Sequence, residues 1–128
     1  MEKETLTVEK DEYGTITYRN ASGQLHNTNG PAAIWANSYK AYHINGRLHN
    51  PDGPAAVHAD GGKAYWINGK RHNANGPATV LADGSKYYYI NGKPLTEAEF
   101  TAWQAKQSAP LHNKTATIDG IEYTLTAK

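Results

Sequence analysis

From residue 32 to residue 90 the chain alternates short apolar runs with polar turns, and the pattern returns every 23 residues. Each run that follows Gly-Pro reads as a strand, over 32–36, 55–59 and 78–82. A polar turn then leads to a second strand, over 40–44, 63–67 and 86–90, which stops at Asn-Gly, a strong hairpin signal. Side chains alternate between faces along a strand, so positions kept from unit to unit share a face. They are Ala32, Ile34 and Ala36 with Lys40, Tyr42 and Ile44, and their counterparts at Ala55, Val57, Ala59, Lys63, Tyr65 and Ile67 and at Ala78, Val80, Ala82, Lys86, Tyr88 and Ile90. One face is thus expected to carry a small Ala rail beside a Tyr/Ile rail, through which successive hairpins bury common surface. Placing Val80 on the face of Tyr88 and Ile90 requires an odd loop. A three-residue loop with a left-handed Gly fits at Asp60-Gly61 and Asp83-Gly84, whereas Ser38 takes that place in the first unit and predicts a less regular hairpin.

The period extends to the motifs between strands. Gly23, Gly46, Gly69 and Gly92 are in register, as are Leu25-His26-Asn27, Leu48-His49-Asn50 and Arg71-His72-Asn73, and then Gly30-Pro31-Ala32, Gly53-Pro54-Ala55 and Gly76-Pro77-Ala78. The organisation expected is an N-terminal cap with a degenerate half unit (1–22), three hairpin units (23–93), and a capping helix with a final hairpin (94–128), together one domain. Thr96 with Glu99 forms a capping box and Leu95 with Phe100 a hydrophobic staple. They predict a short helix over about 97–106 that presents Phe100 and Trp103 to the last hairpin. The segment 115–125 reads as a hairpin around Asp119-Gly120. At the other end Leu6 and Val8 alternate with Thr, and a strand over 15–18 follows; both ends read as lids. The fold class expected is mainly β, an array of 23-residue hairpins in a meander sheet with one short helix near the C-terminus.

Composition changes this picture in one respect. Only 18 of 128 residues are Leu, Ile, Val or Phe, a fraction at which disorder must be considered. Nine Tyr, three Trp and a net charge of only +1 argue against it, since disordered chains pair low hydrophobicity with few aromatics and high charge. A thin core, built once and repeated, is the expectation. No Cys is present, which removes disulfides and every thiolate chemistry. The N-terminus lacks the apolar region of a secretory signal and no apolar run is long enough to span a membrane, so a cytoplasmic location is expected. Charge is uneven: residues 19–93 hold eight Lys/Arg against three Asp, and the ends are acidic.

The Tyr-rich strand, Asn-Gly, Leu-His and Gly-Pro-Ala elements over about residues 13–100 resemble a repeat found in proteins of tailed bacteriophages and large DNA viruses. The segment from Asn91-Gly92 through Phe100 looks like the helix that closes such phage arrays. More distantly the repeat is similar to MORN repeats, which also place one hairpin in about 23 residues, although their glycines sit elsewhere and they lack Leu-His and Gly-Pro-Ala. The phage resemblance implies a host bacterial cytoplasm and lends no shared activity. The MORN likeness implies scaffolding, self-association or lipid contact.

Candidate chemistry is sparse. His26, His49 and His72 form a ladder, with His112 in a further Leu-His-Asn context, but equivalent residues two strand spacings apart stand about 10 Å from each other and cannot share a metal ion. Bonding of each imidazole to turn backbone before Gly-Pro-Ala is the expected role. No nucleophile elbow or facing carboxylate pair is visible, so neither an enzyme nor a cofactor is expected. The informative positions are those that vary between units: Trp35 and His43, His58 and Trp66, then Leu81, Tyr87 and Tyr89. They form a second buried layer beneath the terminal segments or, if exposed, a recognition surface. Two cationic rails accompany them, Lys40, Lys63 and Lys86 near one turn and Arg47, Lys70 and Lys93 after Asn-Gly; both also suit a solvated edge that resists aggregation. The leading expectation is a non-enzymatic, phage-like accessory factor that binds a bacterial protein, for instance by inhibiting a host or defence enzyme. Sequestration of a nucleotide or phosphate between rings and cations, and a virion or scaffolding role, are the alternatives. A homodimer through the aromatic face stays open; duplex nucleic acid and membrane are not expected partners.

Overall fold

The computed structural model describes residues 4–107, 114–118 and 121–125. In chain order the elements are β1 (Thr7–Lys10), β2 (Ile16–Arg19), β3 (Ala33–Ile34), β4 (Lys40–Ala41), β5 (His43–Ile44), β6 (Arg47–Leu48), β7 (Ala56–Val57), β8 (Lys63–Ala64), β9 (Trp66–Ile67), β10 (Lys70–Arg71), β11 (Thr79–Val80), β12 (Lys86–Ile90), β13 (Lys93–Leu95), α1 (Glu97–Gln107), β14 (Lys114–Ile118) and β15 (Ile121–Leu125). The protein is mainly β with one short helix towards the C-terminus. Its centre is a nine-stranded antiparallel sheet of order β1-β2-β3-β4-β7-β8-β11-β12-β13. The hairpins β5–β6 and β9–β10 leave that sheet and form two-stranded sheets of their own, as do β14 and β15.

The loop geometry follows the local chemistry. Ala33 pairs with Ala41, Ala56 with Ala64 and Thr79 with Tyr87, so the positions sum to even numbers and each loop holds three residues. Gly61 and Gly84 adopt φ of 94° and 90° at the third loop position. Ser38 adopts φ 73° there and closes the same hydrogen bond, Ser38 N–H to the Trp35 carbonyl at 2.9 Å, as Gly61 and Gly84 make to His58 and Leu81. The first hairpin is therefore as regular as the others in its bonding, and Ser38 carries the left-handed strain instead. At the opposite turns Asn45-Gly46, Asn68-Gly69 and Asn91-Gly92 all have positive φ at both residues, the type I′ turn of a two-residue hairpin.

In the first two units the second strand is not continuous, contrary to the sequence expectation. Tyr42 separates β4 from β5 and Tyr65 separates β8 from β9. The Tyr42 N–H donates to the Ala55 carbonyl at 2.7 Å, while its own carbonyl accepts from His49 N–H at 3.0 Å. Tyr65 repeats both bonds with Ala78 and His72. One tyrosine thus serves two ladders that run in different directions, and the strand bends at it. Tyr88 has no following unit to serve; β12 stays straight and Tyr88 pairs with Leu95.

The buried residues are alanines on both faces. Ala32, Ala55 and Ala78 of the expected Ala rail are fully buried, but Ala36, Ala59 and Ala82 of the same rail open the three-residue loops and are exposed, while Ala33, Ala41 and Ala56 on the other face are shielded. Their pairings, Ala33 with Ala41, Ala41 with Ala56 and Ala56 with Ala64, run as a continuous row across the sheet. The Tyr and Ile of the kept face are only half-buried. Among the described residues no large side chain is completely buried. Each alanine contributes about one methyl of hydrophobic burial, ~0.8 kcal/mol, so close approach of backbones and their hydrogen bonds carries much of the cohesion.

At the C-terminal end the capping box forms as the sequence predicts. Thr96 N–H donates to Glu99 Oε1 at 2.8 Å and Glu99 N–H to Thr96 Oγ1 at 3.1 Å. Bonding of the carboxylate to the Thr96 N–H and hydroxyl, helped by Lys93, holds Glu99 below its ordinary pKa. Phe100 is buried, 4.8 Å from the Tyr88 ring and 6.0 Å from Trp103, and Gln104 donates to the Ala74 carbonyl. At the other end β1 and β2 extend the sheet rather than cover it: β2 pairs with β3, and β1 is an exposed edge with Val8 57% accessible. β14 and β15 pair as expected, Ile118 opposite Ile121; their turn at 119–120 and His112 lie outside the described residues.

Candidate functional site

Register places the unit-specific side chains in two rows flanking the alanine row. On one side Trp35 follows Ala33, Tyr39 precedes Ala41, His58 follows Ala56 and Leu81 follows Thr79, each two residues away and hence on the same face. Trp35 and Tyr39 lie 4.7 Å apart between ring centroids and Tyr39 and His58 4.5 Å, a continuous tilted stack. With Asn37 and Asp60 these rings line an open groove of about 510 Å³. Trp35, His58, Leu81 and Tyr87 are exposed. Tyr39 was not among the sequence candidates: it neighbours the turn and lies just before the aligned second strand, yet it is the ring that joins Trp35 to His58.

On the other side the hairpins contribute His43, Trp66 and Tyr89, all half-buried. Burial pushes the His43 imidazole below its ordinary pKa, partly opposed by the Ala41 carbonyl. Trp66 is paired with Arg71. The Arg71 guanidinium carbon stands 5.2 Å from the Trp66 ring centre and 5.3 Å from that of Tyr89, and Arg71 Nη1 donates to the Tyr89 hydroxyl at 3.2 Å. Arg71 also escaped the sequence reading, although it occupies the position of Leu25 and Leu48.

The cationic rails stand in the other register. Lys40 pairs with Ile34 and Val57, Lys63 with Val57 and Val80, and Lys86 with Val80, so lysine and branched aliphatic residues alternate across the sheet. Arg47 pairs with Ile44 and Lys70 with Ile67. The side-chain carbons of Arg47 lie over Gly69 and those of Lys70 over Gly92, each stem packing on the turn of the next unit. All six cations are exposed. Directly paired residues share a face, so the rails and the ring rows occupy opposite registers.

The histidine ladder ties the start of each unit to the Asn-Gly turn at its end. His26, His49 and His72 accept at Nδ1 from the N–H of Asn45, Asn68 and Asn91 at 2.9, 3.0 and 3.0 Å. The acceptor is therefore met by the Asn-Gly turn 19 residues further on, not by backbone just before Gly-Pro-Ala. An imidazole accepting at Nδ1 carries its proton on Nε2, and in His26 that atom faces the Glu4 carboxylate. Asn27, Asn50 and Asn73 close their own bends, each donating from Nδ2 to a proline carbonyl four residues on and accepting from the N–H two residues on. Among the described residues no group of three His, Cys, Asp or Glu is placed to hold a metal ion, and no helix is long and apolar enough to cross a membrane.

Comparison with protein-family models, curated proteins and solved structures gave no match.

Proposed function

We propose that this protein is a non-catalytic binding protein that engages a protein partner through the face bearing Trp35, Tyr39, His58, Leu81 and Tyr87. The observation that carries this reading is the stacked, solvent-facing Trp35–Tyr39–His58 cluster. Trp and Tyr are the residues that most often anchor protein interfaces, because they supply large contact area with few rotatable bonds. These rings are also not required by the fold: the other units carry different side chains at the same places. The resemblance to phage and large-DNA-virus repeats supports an accessory factor acting on a bacterial protein in the host cytoplasm.

Affinity purification from bacteria expressing the protein identifies the partner, and the interaction is then measured with purified components. Trp35→Ala and Tyr87→Ala should each weaken the complex at least tenfold while moving the melting temperature by less than about 2 °C. An unchanged affinity in both variants rejects the face. A concentration-dependent dimer dissolved by Trp35→Ala replaces the foreign partner with a second copy of the chain.

A further inference from the structure

Arg71 is the residue whose presence the fold does not explain. Its counterparts Leu25 and Leu48 fill the same strand position with an aliphatic side chain. In their place stands a half-buried guanidinium, and among the described residues no carboxylate lies within ion-pair distance of it. Taking a cation partly out of water without a counter-charge is costly. Moreover, buried polar atoms are nearly always hydrogen-bonded, yet three that lack a partner belong to Arg71 (Nε) and its surroundings, Trp66 (Nε1) and Thr79 (Oγ1). The first two are donors only and the third can donate. This corner of the sheet is rich in donors and poor in acceptors; these three atoms are shielded, and the terminal nitrogens of the guanidinium are where a ligand can reach it.

Beside it lies a cavity of about 230 Å³ whose lining includes Arg71, Lys63, Thr79, His58 and Leu81, two cations against the one carboxylate of Asp60. That volume is below the range of drug-sized ligand sites and suits a single small group. Trp66 and Tyr89 flank the guanidinium and fix its plane. Of its terminal nitrogens, Nη1 holds the Tyr89 hydroxyl, and Nη2 bonds to no described residue and is not among the shielded atoms.

We propose that Arg71, framed by Trp66, Tyr89 and Thr79, is a receptor for one anionic group, a carboxylate or a phosphate, which takes the Nη1–Nη2 edge by displacing the Tyr89 hydroxyl. A fork to an oxyanion supplies two parallel bonds to a charged acceptor, where the bond it replaces is a single one to an uncharged hydroxyl. The cavity shares His58 and Asp60 with the groove beside Trp35, but its test uses small anions and does not depend on the identity of a protein partner.

The test titrates the full chain with inorganic phosphate and, separately, with glutarate at constant low ionic strength, following tryptophan fluorescence, with sodium chloride as the control. Wild type should respond saturably to at least one of the two anions. Arg71→Leu, which installs the residue of the other two units, should lose the response at least tenfold and melt no lower than wild type. Tyr89→Phe, which frees Nη1, should bind as tightly or severalfold more tightly. A response to phosphate alone assigns a phosphoryl ligand, and one to glutarate alone a carboxylate. A response no larger than that to chloride overturns the proposal, as does one that survives in Arg71→Leu. Should Arg71→Leu fail to fold, Arg71→Gln is read by the same criteria.

Discussion

Replacing His49 by Ala tests how a unit is closed. The substitution removes the Nδ1 acceptor of the Asn68 N–H, a bond of 3.0 Å, and leaves that amide on a left-handed residue with no side chain to turn to. The bond is exposed, so its loss costs about 0.5–1.5 kcal/mol net, and trimming a half-buried ring adds to it, so ~2 kcal/mol is the working figure. With an unfolding entropy of about 2.1 cal/mol/K per residue, a chain of 128 residues has a slope of about 0.27 kcal/mol per degree. The melting temperature should then fall by about 7 °C, read by circular dichroism. Hydrogen exchange localises the effect: the Asn68 amide should lose protection while Asn45 and Asn91, held by His26 and His72, keep theirs. Sites farther apart than about 7–10 Å add nearly independently, so the His49→Ala, His72→Ala pair should lose roughly the sum of the two. A fall of less than about 2 °C with Asn68 still protected would show that the ladder accompanies the turns without holding them.

Other outcomes follow from single positions. Ser38→Gly should raise the melting temperature by about 2–4 °C, since a non-Gly residue in the left-handed region costs roughly 1 kcal/mol, and Gly84→Ser should lower it comparably; equal melting of all three proteins contradicts the strain at φ 73°. Acidification should destabilise the fold in part through His43. Its folded-state pKa lies below 6.5, so the unfolded chain takes up the proton first, and stability present above pH 6.5 declines below it until the folded-state value is passed. His43→Gln should therefore lose less melting temperature between pH 7.5 and 5.5 than wild type, and an identical loss rejects the assignment. Thr96→Ala should cost about 1 kcal/mol by removing the acceptor of Glu99 N–H, seen as a lower melting temperature and faster exchange in the first turn of α1.

Much of this architecture was legible because local chemistry decides it. Asn-Gly imposes its turn, parity fixes the three-residue loops, and Thr96 with Glu99 marks the start of the helix. What was hidden depends on neighbours. The bend at Tyr42 arises because its amide and carbonyl answer to different ladders, at Ala55 and His49 of the following unit, which no property of a tyrosine announces. Alanines at 33, 41 and 56 vary little in type and sit on the face that otherwise varies, so they looked like filler until the sheet pairing stacked them into a row. The acceptor role of the histidines reaches 19 residues ahead, from one motif of the unit to another that local sequence does not connect. Arg71 was recoverable from the sequence, through its departure from Leu25 and Leu48, had the exceptions to the pattern been weighed as heavily as the pattern.

The strictly sequential strand order bears on how fast the chain folds. Within the nine-stranded sheet the partners Ile16 and Ile34, Ala41 and Ala56, and Ala64 and Thr79 are at most 18 residues apart in the chain. All-β domains usually fold slowly because distant segments must find each other before contact compensates for the lost chain entropy. Here no strand of the sheet waits for a remote one, so nucleation can begin at any hairpin and spread to either side. The expected rate is closer to that of helical proteins than of sandwiches of equal length.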